Sequence, residues 1–152
     1  MSPPFPPSTH MQRALDLARA AGRAGEVPIG AVVVHRGQVI GEGENRNRRD
    51  NDPTAHAEIV AIRAAAETLG DFRLTECELW VTLEPCPMCA GAISHARIDR
   101  LYYGAADPKG GGVDHGARVF THPQCLHRPD VYGGIGEAAS AEMLRDFFVV
   151  RR

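Results

Sequence analysis

The run Val27-Pro28-Ile29-Gly30-Ala31-Val32-Val33-Val34 constrains the fold more than any other part of the chain. It is β-branched and apolar nearly throughout, the pattern of a central strand rather than an edge. His35-Arg36-Gly37 separates it from Gln38-Val39-Ile40-Gly41, so the two runs read as a hairpin. Upstream, Met11, Ala14, Leu15, Ala18 and Ala21 recur at three and four, which predicts a helix starting at Ser8 or Thr9 and stopped by Gly22 and Gly25.

The alternation continues downstream. After a polar, arginine-bearing loop over residues 44–53, Thr54 reads as the N-cap of an alanine-rich helix that runs to Leu69 and ends at Gly70. Residues 78–83 read as a strand, 88–96 as a helix, 98–104 as a strand and 107–116 as a glycine-rich loop. A short strand over residues 130–133 and an amphipathic helix over residues 137–150 complete the pattern, which implies an α/β layered domain. At 152 residues the chain fits one domain, read as residues 9–152 behind a proline-rich flexible tail at residues 1–8.

Seventeen basic against nineteen acidic side chains leave a formal charge of −2, so a polyanionic partner has to be met by a local patch. No apolar run approaches the roughly eighteen residues of a membrane span, and the first residues lack a signal-peptide pattern, so a cytoplasmic location and no membrane partner are expected. Four cysteines are few for a disulfide scaffold, and Cys77 and Cys125 are expected to be unpaired and without a role.

Cys86 and Cys89, in Glu84-Pro85-Cys86-Pro87-Met88-Cys89, have metal or redox spacing. At i and i+3 they share one face of a helical turn, where the helix dipole and free N–H groups favour thiolates. His56 lies in the first turn of the preceding helix, and the two helix starts can converge. Two thiolates and an imidazole favour zinc, one ion per chain, with the fourth tetrahedral position left to water as in catalytic sites. Glu58 is then the expected proton carrier between that water and a substrate. A structural zinc is the competing reading, and it requires a fourth ligand such as Cys77 or His95. His-x-Glu at one helix start followed by Pro-Cys-x-x-Cys at the next is the signature of zinc-dependent nucleobase deamination.

Beyond these motifs, the stretches Glu26-Val27-Pro28-Ile29-Gly30-Ala31, Gly41-Glu42-Gly43-Glu44-Asn45-Arg46, Asp52-Pro53-Thr54-Ala55-His56-Ala57-Glu58, Val81-Thr82-Leu83-Glu84-Pro85-Cys86 and Asp146-Phe147-Phe148 carry a resemblance. Over roughly residues 10 to 152 the chain resembles the cytidine deaminase-like superfamily and, within it, the bacterial tRNA-specific adenosine deaminases. The resemblance implies a three-layer α/β/α fold with a five-stranded mixed sheet, a homodimer, and conversion of the wobble adenosine of a tRNA anticodon loop to inosine. It also implies Asn45 as a contact to the base. The sequence departs from familiar members at Leu126, where an asparagine tends to precede the His-Arg pair.

An RNA substrate calls for cations near the site. Arg46, Arg48 and Arg49 stand close in sequence to Asn45 and His56, Lys109 follows Asp107 in the glycine-rich loop, and Arg145, Arg151 and Arg152 mark the last helix. Val27, Asp107 and Phe148 join them as expected substrate contacts, although Phe147 and Phe148 stand at helical spacing beside Met143 and Leu144 and one or both read as core. The alternative is a deaminase of a free base or nucleotide, such as guanine, cytosine or deoxycytidylate, since the zinc residues do not distinguish the two.

Overall fold

Arg36 and Gly37 both adopt left-handed backbone angles, φ 51° and 80°, and so close a two-residue turn between β1 (Gly30–His35) and β2 (Gln38–Glu44). The structure, a computed structural model, describes residues 8–151. The tail expected at residues 1–8 lies outside the described residues up to residue 7, and residue 8 already opens α1 (Ser8–Arg23).

The five-stranded sheet has the order β2-β1-β3-β4-β5, with β3 at Cys77–Leu83, β4 at Arg100–Ala105 and β5 at Asp130–Tyr132. β1 runs antiparallel to both its neighbours, whereas β3, β4 and β5 are mutually parallel, so the sheet is mixed. β1 starts at Gly30 and not at Val27 because Pro28 has no N–H to give a ladder and the Ile29 N–H turns back to the Val27 carbonyl at 2.8 Å. This shift leaves Val27 outside the sheet.

Helices cover both faces. On one, Met11, Ala14 and Leu15 of α1 and Ala139 and Met143 of α4 (Glu137–Val150) pack on Val32, Val34 and Trp80. On the other, Ala57, Ala61 and Ala65 of α2 (Ala57–Leu69) and Ala90 and Ile93 of α3 (Pro87–Ala96) pack on Val33, Leu79, Val81 and Leu101. Each fully buried Val, Leu or Ile here contributes about 1.5–3 kcal/mol of burial free energy. The alanines let α2 sit close to the sheet, and Gly43 of β2 is required beneath it, since a Cβ there would lie 2.2 Å from the Ala57 carbonyl oxygen. A single 3-10 turn at Val119–Thr121 was not signalled by the sequence, being too short to show a period.

Candidate active site

α2 and α3 begin side by side at the end of β3, and neither N-cap residue closes its helix with a side-chain bond. The sequence points to Thr54 as the N-cap of α2, but its hydroxyl and N–H both bond to Asp52, at 2.7 and 2.8 Å, and the cap position is His56. His56 makes no side-chain capping bond. The free Ala57 N–H is taken instead by the amide oxygen of Asn45, twelve residues upstream, at 2.9 Å. Cys86 likewise occupies the N-cap of α3 without a side-chain cap bond, and Pro87 follows in the first turn, where its missing N–H costs nothing.

His56 Nδ1 stands 3.5 Å from the Cys86 sulfur and 3.4 Å from the Cys89 sulfur. Bonds of about 2.3 Å to sulfur and about 2.0–2.1 Å to nitrogen at a tetrahedral zinc keep those atoms about 3.5 Å apart, so the donor set fits that ion. All three ligand atoms lie within 4.8 Å of one another, and among the described residues no further Cys, His, Asp or Glu completes the group. Cys77, at the far end of β3, and His95, in the last turn of α3, do not join it. The Cys89 thiol and the His56 ring outweigh burial and pull Cys86 down to about 4, while Cys89 is pushed up by its bond to Cys86 and by burial. One negative charge is therefore shared by the pair, and a bound cation would release the remaining proton.

Glu58, in the first turn of α2, is 4% exposed. Burial pushes its carboxyl up to about 7, outweighing its own backbone N–H, the His56 ring and the Cys89 thiol, which all work to lower it. Together with Asn45, His56, Cys86 and Asp107 it lines a cavity of about 310 Å³. A second buried carboxylate, Glu84, reaches the same cavity in a different state. Its oxygens accept the backbone N–H groups of Asp107, Val113, Asp114 and His115 at 2.9–3.2 Å and the His115 ring at 2.7 Å. Burial works to raise Glu84, but the Asp107 N–H, the His115 ring and the neighbouring amides hold it below the usual carboxylate range. Gly111 is needed at this approach, since a Cβ there would lie 2.6 Å from Glu84 Oε2. Sequence reasoning missed this role of Glu84, because its donors come from a loop beyond α3 and β4 that no local pattern ties to it.

The MafB19-like deaminase family matches residues 7–152. The chain is 60% identical over 145 residues to a tRNA-specific adenosine deaminase of Agrobacterium fabrum, covering 95% of each chain. The chain belongs to the tRNA-specific adenosine deaminase family. A solved structure from work on A-to-I editing by tRNA:A34 deaminases at the wobble position of transfer RNA superimposes with a TM-score of 0.89 at 59% identity, covering 90% of this chain and 99% of that one. The guanine deaminase of Bacillus subtilis superimposes with a TM-score of 0.65 at 46% identity, over 67% of this chain and 66% of that one. The three-layer fold with its mixed sheet is the one these deaminases share.

Two further hollows of this deaminase adjoin the first. One, of about 540 Å³, shares Val27, Leu83, Asp107 and Gly110 with it and adds Lys109 and Phe148. The other, of about 250 Å³, runs past Val27 and Phe148 to Arg48, Phe147 and Arg151. Val27, Asp107, Lys109, Arg48 and Phe148 are thus gathered along one path from the base-sized cavity. Phe148 is 50% exposed and Phe147 half-buried, so neither joins the core expected from helical spacing. Their rings meet edge to face, and the Arg151 guanidinium lies 3.6 Å from the Phe147 ring centre. Arg46 and Arg49 lie off this path: Arg46 pairs with Asp50 at 3.0 Å, and Arg49 with Glu26 and Glu44, each at 3.1 Å. Arg152 lies outside the described residues.

Proposed function

We propose that this deaminase converts the wobble adenosine of a tRNA anticodon loop to inosine, with one zinc ion per chain held by His56, Cys86 and Cys89. The observation that carries the reading is the buried Glu58 beside a three-ligand metal group in a base-sized cavity, in a chain 60% identical to a tRNA-specific adenosine deaminase. Bound zinc supplies a Lewis acid that brings the pKa of a coordinated water toward neutrality. Glu58 takes one proton of the attacking water and passes it to purine N1; it then takes the proton of the hydroxyl now on C6 and gives it to the amine, which leaves as ammonia as the C6 carbonyl forms. Asn45 has its amide oxygen committed to Ala57 and so offers its NH2 group to an acceptor on the base. The apolar side chains of Val27 and Leu83 on the cavity wall keep competing solvent from the base.

The flanking hollows suit nucleotides on either side of a splayed base, with Phe148 as a stacking surface and Lys109 and Arg48 meeting phosphates. Arg46 joins them readily because its pair with Asp50 is exposed and contributes only about 0–1 kcal/mol. We also propose a homodimer and a cytoplasmic location, where the tRNA substrate is found. The absence of any disulfide among the four cysteines suits a reducing compartment. No helix among the described residues is long and apolar enough to cross a membrane.

Deamination of a free base such as guanine is the second reading, on the likeness to guanine deaminase. It has less support, since that likeness spans 67% of the chain against 95% for the tRNA enzyme. Incubation of the purified protein with total tRNA and, separately, with free bases decides between them. Inosine in the tRNA digest is expected; ammonia released only from a free base contradicts the proposal. Elemental analysis is expected to find zinc in the wild type and its loss in Cys86→Ser.

A further inference from the structure

Glu26, between α1 and β1, is 2% exposed and remote in sequence from every residue of the metal group. A buried carboxylate is retained only where donors compensate it. Here Oε1 accepts the Arg48 N–H at 3.1 Å, and Oε2 accepts the Arg49 N–H at 2.9 Å and the Arg49 Nε–H at 3.1 Å. The far end of the same guanidinium donates to the Asn45 carbonyl at 2.5 Å and to Glu44 at 3.1 Å. Asn45, 5% exposed, then hands its side-chain oxygen to the Ala57 N–H, between His56 and Glu58. One guanidinium thus ties a buried anion to the backbone of the residue that both lines the base cavity and completes the start of α2.

We propose that Glu26 and Arg49 form a positioning strut that sets Asn45, and through it the base and the start of α2, so that Arg49 is not a phosphate ligand. This rests on the reading that the cavity takes a nucleobase. The planar fork is essential, because one group must reach Glu26 from Nε and Asn45 from Nη2 together, and a lysine ammonium has no such pair of directed donors. A phosphate ligand, in contrast, works as a positive charge, and lysine substitutes for it.

Glu26→Gln, Arg49→Ala and Arg49→Lys are assayed as zinc-loaded proteins for kcat and KM on an anticodon stem-loop, with melting temperature, zinc content and the salt dependence of binding measured alongside. A strut predicts that kcat falls about 10- to 100-fold in all three variants, the scale of a misplaced substrate. KM stays within about two-fold, since flanking contacts are untouched. Lysine gives no rescue, and the log–log salt slope is unchanged in Arg49→Ala. Rescue by lysine, or a salt slope reduced by about 0.7 in Arg49→Ala, makes Arg49 a phosphate ligand and overturns the proposal. Loss of zinc in proportion to activity overturns it too, by showing a purely structural role. Should Glu26→Gln fail to fold, the two Arg49 variants carry the test. If the wild type leaves the stem-loop unedited and deaminates guanine, the tRNA reading falls. The strut is then judged by hydrogen exchange at the Ala57 amide, faster in Arg49→Ala if it is right and unchanged if it is wrong.

Discussion

Glu58 and Glu84 line one cavity and are both buried, at 4% and 2% exposure, yet their surroundings drive them in opposite directions. Glu58 is raised to about 7 by burial, which its own backbone N–H, the His56 ring and the Cys89 thiol do not offset. Glu84 is equally deprived of water but receives four backbone N–H groups and an imidazole, and it stays below its ordinary range. A carboxylate raised by burial can take and return a proton; one whose lone pairs are all occupied by donors can only hold things in place. The pocket therefore has a reactive wall on α2 and a fixed wall where the 107–116 loop wraps Glu84.

Exchanging each carboxylate for its amide should separate the two walls. Glu58→Gln is expected to lose about 10²- to 10⁴-fold in kcat, the range of a positioned acid–base group, with zinc content and melting temperature kept. Rapid turnover in this variant, measured on an anticodon stem-loop, would put proton transfer elsewhere. Glu84→Gln turns an NH2 group toward N–H donors and leaves amides orphaned, at a cost of about 2–3 kcal/mol. For a chain of this size that corresponds to a melting temperature lower by roughly 5–10 °C, read by calorimetry. An unchanged melting temperature would mean the loop holds itself.

Smaller effects sharpen the contrast between the site and its rim. Arg48→Ala and Lys109→Ala are each expected to reduce the log–log salt slope of RNA binding by about 0.7, with kcat retained, in titrations at several salt concentrations. The smallest effect is on the pH dependence of stability, through Glu26. Arg49 and Arg48 donors overcome the burial that works to raise it, and they hold it below its ordinary value of 4.5. Its stabilisation is present above 4.5 and is lost as the pH falls through the lower folded value. Glu26→Gln should therefore flatten the acid limb of the stability–pH curve below about pH 4.5 and leave its neutral limb parallel to that of the wild type, as urea melts at stepped pH will show.

The grouping of His56, Cys86 and Cys89 was legible because a candidate ligand triad depends on residue type and spacing, and these three carry both. The strands and helices were legible where period dominates, as in Val32-Val33-Val34 and the alanines of α2. What escaped was set by contacts distant in sequence. Thr54 has the right chemistry for a cap, but Asp52 captures it and Asn45 supplies the bond from twelve residues away. Arg46, Arg48 and Arg49 look equivalent in a row, and only the fold sends Arg49 inward to Glu26 while Arg48 stays outside. Glu84 gave no sign of its five donors because they all come from a loop more than twenty residues downstream.

The central claim is that a pocket built this way acts on an adenosine presented by RNA. The most direct measurement is wild-type turnover of an anticodon stem-loop bearing a wobble adenosine, set against guanine, cytosine, deoxycytidylate and free adenosine under the same conditions. Inosine at the wobble position, with little reaction of the free compounds because they lack the flanking groups that position the base, is the predicted result. Efficient deamination of guanine, cytosine or deoxycytidylate with no inosine in the stem-loop would contradict it.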